Sequence, residues 1–131
     1  MFANIYKINL RHAVSISLIL CSNVYAQWDL AFEGLKNNHQ WYWDLDERLE
    51  DRDNQVIQIP VIGSNDAGSV WDLIQFDCKN QENRILVKMY YDQPLAKGKP
   101  AIVERIPKWE KTKLNSPFGE MLKILCGKFK R

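Results

Sequence analysis

The stretch from Ser69 to Cys78 reads SVWDLIQFDC, and it predicts the centre of the fold. Its apolar residues fall on both faces of an extended chain, with Val70, Ile74, Phe76 and Cys78 on one face and Trp71 and Leu73 on the other. Successive side chains of a strand point to opposite faces of a sheet, so a strand that is apolar on both faces belongs in the interior of the sheet. We therefore expect a central strand that ends at a cysteine.

Apolar residues recur with period two in the segments around this strand. The alternating sets are Trp28, Leu30 and Phe32; Trp41, Trp43 and Leu45; Ile57, Ile59 and Val61; and Ile85, Val87, Met89 and Tyr91, with a weaker strand at 101–106. Turn-rich stretches separate them at 36–38, 51–54, 63–68, 79–83 and 92–100. This spacing predicts an antiparallel meander of about five to six strands, each with one buried face.

The period changes near the end of the chain, where apolar residues follow the spacing of a helix. They are Phe118, Met121, Leu122, Leu125, Cys126 and Phe129, which form one stripe. Ser116 can cap this helix, Pro117 suits its first turn, and Gly127 favours an end near that residue. The sequence therefore predicts an α+β fold in which a C-terminal helix packs on one face of the sheet.

The first 26 residues have the pattern of a secretory signal peptide. Lys7, Arg11 and His12 precede the uncharged run from Ala13 to Cys21, which is far shorter than the roughly 20 apolar residues that span a bilayer. Cleavage after Ala26 leaves residues 27–131 as a single domain. Because the uncharged run is too short and no later segment is long and apolar enough, we expect no transmembrane helix. The alternative is a lipid anchor on Cys21, although Leu20 stands where lipoprotein processing requires a small residue.

The predicted mature chain contains two cysteines, Cys78 and Cys126. An exported chain with an even number of cysteines usually oxidises them, so we expect a disulfide between the two. It would close a loop of about 49 residues, join the helix to the sheet and stabilise the fold by about 4 kcal/mol. The alternative is a pair of free, buried thiols.

Charge is unevenly distributed along the chain. Without the signal peptide, 16 basic residues balance the 16 acidic ones. Residues 27–96 nevertheless carry 6 basic and 13 acidic groups, whereas residues 97–131 carry 10 basic and 3 acidic groups. Such asymmetry can orient a protein partner or a second copy of the chain, as in a homodimer, unless the strand order mixes the charges on the surface. No nucleic-acid-binding motif is present, and nucleic acid is an improbable partner for an exported chain.

Motifs for catalysis, cofactor binding and metal binding are absent from the sequence. His39 is the only histidine after the predicted signal peptide, and its Asn and Gln neighbours indicate an exposed loop residue and not a catalytic base. The carboxylates between Asp44 and Asp53 lack the ligand spacing of a calcium loop and have Arg48 and Arg52 among them. We therefore expect no enzyme, no cofactor and no metal.

The candidate partner-binding residues are basic residues and one tryptophan in the last third of the chain. They are Lys97, Lys99, Lys108, Trp109, Lys111 and Lys113. Trp109 lies among cations in a segment without periodicity, where it either anchors a partner or folds back over the edge of the sheet. Lys97 and Lys99 lie in the loop at 92–100, a second plausible contact segment.

Several of these features together resemble one protein family. They are the Trp41-Tyr42-Trp43-Asp44 segment, the Phe76-Asp77-Cys78 strand end, Tyr90-Tyr91, Trp109, Ser116 and Cys126. In this order they resemble the bacterial surface-adhesin protein E family over essentially the whole mature chain. The resemblance implies an antiparallel sheet with a C-terminal helix tethered by a disulfide. Cys78 and Cys126 match the two cysteines of that disulfide.

The same resemblance implies a non-enzymatic surface protein that binds host matrix and plasma proteins such as vitronectin, laminin and plasminogen. Leu20 and Cys21 depart from the lipoprotein pattern of that family. We therefore expect one of two locations, the cell surface and outer membrane or the periplasm. The alternative function is that of a periplasmic accessory or structural envelope protein, which shares the fold and has no host partner.

Overall fold

The computed structural model describes residues 28–33 and 39–129, so the predicted signal peptide, Cys21 and the predicted turn at 36–38 lie outside the described residues. The strands are β1 (Asp29–Glu33), β2 (Gln40–Trp43), β3 (Leu49–Asp51), β4 (Val56–Asn65), β5 (Gly68–Asp77), β6 (Glu82–Tyr91), β7 (Pro100–Val103) and β8 (Glu110–Lys111). Helix α1 (Pro117–Cys126) follows them. Short 3-10 turns occupy Leu45–Glu47, Pro94–Ala96 and Gly127–Phe129.

All strands join one antiparallel sheet in the order β1-β2-β4-β5-β6-β7, with β3 also paired to β4 and β8 also paired to β6. Strand β5 is interior, as its two apolar faces predicted. The predicted turn at 63–68 is too long, because β4 and β5 stay paired up to Asn65 and Gly68 and only two residues turn between them. Leu45 lies in a 3-10 turn and not in a strand, because Asp44 caps that turn by accepting a hydrogen bond from the Asp46 N–H.

Helix α1 begins and ends near the predicted residues. The Ser116 side chain accepts a hydrogen bond from the Gly119 N–H, and Pro117 occupies the first turn. Gly127 remains in the helical region, so the chain continues as a 3-10 turn to Phe129. Cys78 and Cys126 form the predicted disulfide, with an S–S distance of 2.01 Å and a Cα–Cα distance of 5.5 Å.

The hydrophobic core lies between α1 and one face of the sheet. Its fully buried members are Ile57, Ile59, Val61, Ile74, Phe76 and Met121. The Phe118 ring packs edge-on against Trp41 and Phe76, with centroid distances of 5.8 and 6.3 Å. Gly63 makes room for Trp41, because a Cβ atom at Gly63 would lie 2.9 Å from that ring. Helix α1 therefore covers one face of the sheet, and no other α-helix of residues 28–33 and 39–129 covers the opposite face.

Candidate functional site: the open face of the sheet

The face of the sheet opposite α1, here called the open face, carries one apolar row across six strands. Each residue of this row pairs directly with the next: Leu30, Tyr42, Ile62, Trp71, Met89 and Ile102. Five interstrand steps of about 4.8 Å make the row about 24 Å long. Because no member of the row is charged, the open face carries a continuous apolar strip from one edge of the sheet to the other.

Burial within the row increases from its ends to its centre. Leu30 is 51% exposed and Ile102 is 69% exposed, whereas Ile62 is fully buried. Pro60, Leu73 and Val87 form a second, shorter row beside the first, and all three are half-buried. The exposed ends are the parts of the strip that a partner can reach without any rearrangement.

A polar ladder borders the strip towards one end of the strands. Arg84 donates from Nε to Gln75 Oε1 at 2.7 Å, and Gln75 donates from Nε2 to Gln58 Oε1 at 2.9 Å. The Arg84 guanidinium lies 4.5 Å from the centre of the Trp109 ring. Trp109 is half-buried and so folds back against the sheet, one of the two arrangements expected from the sequence.

Two serines on the open face anchor the loop after β6, on the side of the strip opposite the polar ladder. Ser69 Oγ donates to the Gln93 carbonyl at 2.6 Å and accepts from the Ala96 N–H at 2.8 Å. Ser64 Oγ accepts from the Leu95 N–H at 3.0 Å. These bonds hold Leu95 and Ala96 at positive φ angles of 57° and 55°. Sequence reasoning missed both anchors; the available signal was a pair of serines inside otherwise apolar strands.

The six candidate partner-binding residues fall into two groups along one edge of the sheet. Lys97 and Lys99 lie in the loop before β7, which pairs with the end of β6, whereas Lys108, Trp109, Lys111 and Lys113 lie around β8, which pairs with its start. A ten-residue strand places the groups about 30 Å apart. The structure therefore does not bring these residues into one cluster, and the two groups lie at opposite ends of that edge.

Charge segregates partly between the two edges of the sheet. The acid-rich strands β1 and β3 lie towards the edge opposite the basic segment 97–113. The separation is incomplete, because Lys128 pairs with Glu50 and Lys79 donates to the Asp53 carbonyl at 3.0 Å. The charges are therefore partly segregated and partly mixed on the folded surface. Segment 97–113 still forms a basic surface beside the open face.

Two ionisable side chains away from the strip, those of His39 and Asp72, contact other side chains. His39 is half-buried, with its Nε2 atom 3.2 Å from Asn65 Nδ2, so the prediction of an exposed loop histidine is wrong. Asp72 lies on the core-facing side of β5, 2.9 Å from Lys88 Nζ. Burial raises the pKa of Asp72, an effect that Lys88 and Arg105 oppose. Within 28–33 and 39–129, no group of three His, Cys, Asp or Glu residues is arranged to hold a metal ion.

The sequence model described as Surface-adhesin protein E matches residues 36–127, which is more than half of the chain. The chain belongs to the surface-adhesin protein E family. A search of curated proteins gave no match. The fold is similar to two structures of Haemophilus influenzae protein E, each 15% identical in sequence. One of them, crystal form II, has a TM-score of 0.63 over 81% of this chain and 91% of that chain, and the other has a TM-score of 0.62 over 81% and 88%.

Family membership makes the chain an adhesin-type surface protein. None of the helices within the described segments has both the length and the apolar character needed to cross a membrane. Sequence reasoning found the basic residues along the edge of the sheet. It missed the apolar strip, since the strip depends on how six strands align side by side.

Proposed function

We propose that the chain is an exported, non-enzymatic binding protein of the adhesin type that holds a protein partner on the open face. The observation that carries this proposal is the uncharged row from Leu30 to Ile102, whose two ends are exposed. Leu30 and Ile102, the exposed apolar residues of this row, are the ones that a partner can cover directly. We propose no catalytic residue, cofactor or metal for this protein.

The residue types on the open face favour a protein as the partner. Tyr, Trp, Met and Arg are enriched in protein interfaces, and this surface contains Tyr42, Trp71, Met89 and Arg84. The ladder from Arg84 to Gln58 already pairs Arg84 Nε, the amide oxygen and nitrogen of the Gln75 side chain and Gln58 Oε1, which lowers the cost of covering it with a partner.

Charge favours an acidic partner surface. Residues 97–113 beside the open face contain six basic and two acidic side chains. Complementary charge accelerates association and suppresses like-charged partners, whereas the apolar strip supplies the affinity. We propose that Lys97 and Lys99 at one end, and Lys108, Lys111 and Lys113 at the other, form the basic rim of the binding site.

The proposed partners are host matrix or plasma proteins, of which vitronectin, laminin and plasminogen are the ones to test. We further propose that residues 1–26 direct export and are removed, that residues 27–131 form a single domain, and that the protein acts at the cell surface or outer membrane. A second copy of the chain remains a possible occupant of the open face, which would make the protein a homodimer.

The test is binding of the oxidised protein to each of these three host proteins, immobilised, at physiological salt. We expect saturable binding of micromolar or tighter affinity. The substitutions Leu30→Glu and Ile102→Glu place charge at the exposed ends of the strip, and each should raise Kd at least about tenfold, or 1.4 kcal/mol. Ile124→Glu is the matched control, because Ile124 is 57% exposed on the helix and away from the open face.

The basic rim is tested separately with a combined Lys108, Lys111 and Lys113→Ala variant, compared with a Lys79 and Lys123→Ala control. The rim variant should associate more slowly and depend less on salt, whereas the control should resemble the unaltered protein. Absence of binding to all three host proteins, with the protein in the periplasmic fraction and protected from protease added to intact cells, would support the periplasmic accessory role instead. Equal affinity of Ile102→Glu and Ile124→Glu would contradict a binding site on the open face.

A further inference from the structure

A cavity of about 320 Å³ opens beside the disulfide, where the end of β5 meets helix α1. Both Cys78 and Cys126 line it, together with apolar Leu114 and Phe129 and the amine-bearing Lys123. Leu114 is 44% exposed, so this wall of the cavity is in contact with solvent. The disulfide is therefore reachable from outside the folded protein through a space large enough for a small molecule.

The two sulfur-bearing residues differ in accessibility. Cys78 comes directly after β5 and is half-buried, whereas Cys126 lies in the last turn of α1 and is only 4% exposed. Thiol exchange begins with attack of a thiolate on one sulfur of a disulfide, and access decides which sulfur is attacked. The exposure of the two residues favours attack at Cys78.

The geometry points to Cys78 as a thiol-exchange site at which a small, anionic peptide thiol of the glutathione class forms a mixed disulfide. The thiolate of the incoming molecule attacks Cys78 Sγ and forms a new S–S bond. The Cys78–Cys126 bond breaks, and its electron pair leaves on Cys126 as a thiolate. No other oxidant or reductant is consumed in this step, because one disulfide replaces another.

The lining of the cavity suits such a ligand. Lys123 lines the cavity with a positive charge that it shares with Glu120, 3.1 Å from its Nζ atom, and that a ligand carboxylate can also use. Gln55 and Gln81 add polar groups for a peptide unit. The backbone at Cys78 is held independently of the sulfur, because the Cys78 N–H donates to the Gln55 carbonyl at 2.9 Å. Exchange at Sγ therefore does not require the strand end to move.

Helix α1 has other contacts that hold it after the disulfide opens. Met121, Leu122 and Leu125 remain in the core and keep the Cys126 thiolate close to Cys78. The thiolate can then attack the mixed disulfide, expel the small thiol and restore the original bond. The site is consequently a reversible modification site, with the helix as the element that makes closure intramolecular.

The test is incubation of the oxidised protein with reduced glutathione without denaturant. Aliquots are quenched with iodoacetamide in denaturant, which exposes the buried Cys126 thiol to alkylation, and the products are located by peptide mass mapping. We expect glutathione on Cys78, a carbamidomethyl group on Cys126, and a rate that does not change at low urea concentrations. Glutathione on Cys126, or a rate that increases with urea as steeply as global unfolding does, would overturn the proposal.

Two variants distinguish exchange through the cavity from general solvent exposure of the disulfide. Leu114→Trp fills the cavity and should slow the reaction at least about tenfold, whereas Ile124→Trp, on the exposed side of helix α1, should leave it unchanged. Lys123→Gln should slow exchange with glutathione but not with uncharged 2-mercaptoethanol. Equal rates in Leu114→Trp and Ile124→Trp, or equal effects of Lys123→Gln on both thiols, would also overturn the assignment.

Discussion

Replacement of Gly119 by alanine is expected to destabilise the protein, although the opposite follows from helix propensity alone. Gly119 is buried in the first turn of α1, and its N–H donates to the Ser116 cap at 3.1 Å. A Cβ atom at this position would lie 2.2 Å from the Lys113 carbonyl oxygen and 2.6 Å from the Leu114 backbone. Backbone atoms cannot rotate aside as a side chain can, so the start of the helix must shift.

The magnitude follows from three opposing effects. Alanine in place of glycine inside a helix stabilises by about 1 kcal/mol. Overpacking costs about 1–3 kcal/mol, and loss of the Ser116 cap as the helix shifts costs about 1 kcal/mol more. The net expectation for Gly119→Ala is a loss of about 1–3 kcal/mol in the free energy of unfolding.

Gly127→Ala is the matched control at the other end of the helix. Gly127 has helical φ and ψ angles of −55° and −33°, and no atom lies within 4 Å of a Cβ placed there. This substitution should therefore stabilise by up to about 1 kcal/mol. Urea unfolding of the oxidised proteins, followed by tryptophan fluorescence, measures both changes. Gly119→Ala as stable as the unaltered protein, or both variants shifted in the same direction, would refute the reasoning.

Three further predictions concern the disulfide, the buried carboxylate and the ring against the sheet. Replacing Cys78 and Cys126 together by alanine should lower the free energy of unfolding by about 4 kcal/mol, and a loss under about 1 kcal/mol in urea unfolding would contradict the tether's role. Because burial raises the pKa of Asp72 above 3.8, folding binds a proton there and this group's contribution to stability falls as the pH rises from 3.8. Urea titrations from pH 3.8 upward measure the free energy of unfolding of Asp72→Asn and of the unaltered protein. The value for Asp72→Asn should increase relative to that of the unaltered protein as the pH rises, and a constant difference would exclude a raised pKa of Asp72. Trp109→Ala should cost about 1 kcal/mol through lost stacking on Arg84, whereas an unchanged unfolding midpoint would mean that the ring contributes nothing to the fold.

Much of the fold follows from local patterns. The two apolar faces of Ser69–Cys78 correctly predicted an interior strand, and the stripe from Phe118 to Phe129 correctly predicted a C-terminal helix. Strands β3 and β8 were not predicted, because a strand of two or three residues is too short for its period to be recognised. The long turn predicted at 63–68 was wrong, since Gly63 allows Trp41 to pack closely and does not end the strand.

The candidate site was far less accessible to sequence reasoning than the fold. The basic residues between Lys97 and Lys113 could be identified from composition, but their separation into two groups depends on β7 and β8 pairing with opposite ends of β6. The position of Trp109 was left open between two arrangements, because a contact with Arg84 joins residues that are distant in the chain.

The sequence by itself determined the α+β class, the period of β4 and β5, the start of the helix at Ser116 and the pair of cysteines that close the fold. These properties depend on neighbours within a few residues, or on counting a residue type, so they can be read along the chain. The single buried face predicted for Ile85, Val87, Met89 and Tyr91 was wrong, because an irregularity in the pairing of β5 with β6 puts Ile85 on the core face and Val87 and Met89 on the open face. Only the tertiary structure decided the apolar row from Leu30 to Ile102, the anchoring serines and the cavity beside Cys78. Each of these depends on strand register and on the placement of the helix, and both are set by the energy of the whole packed core.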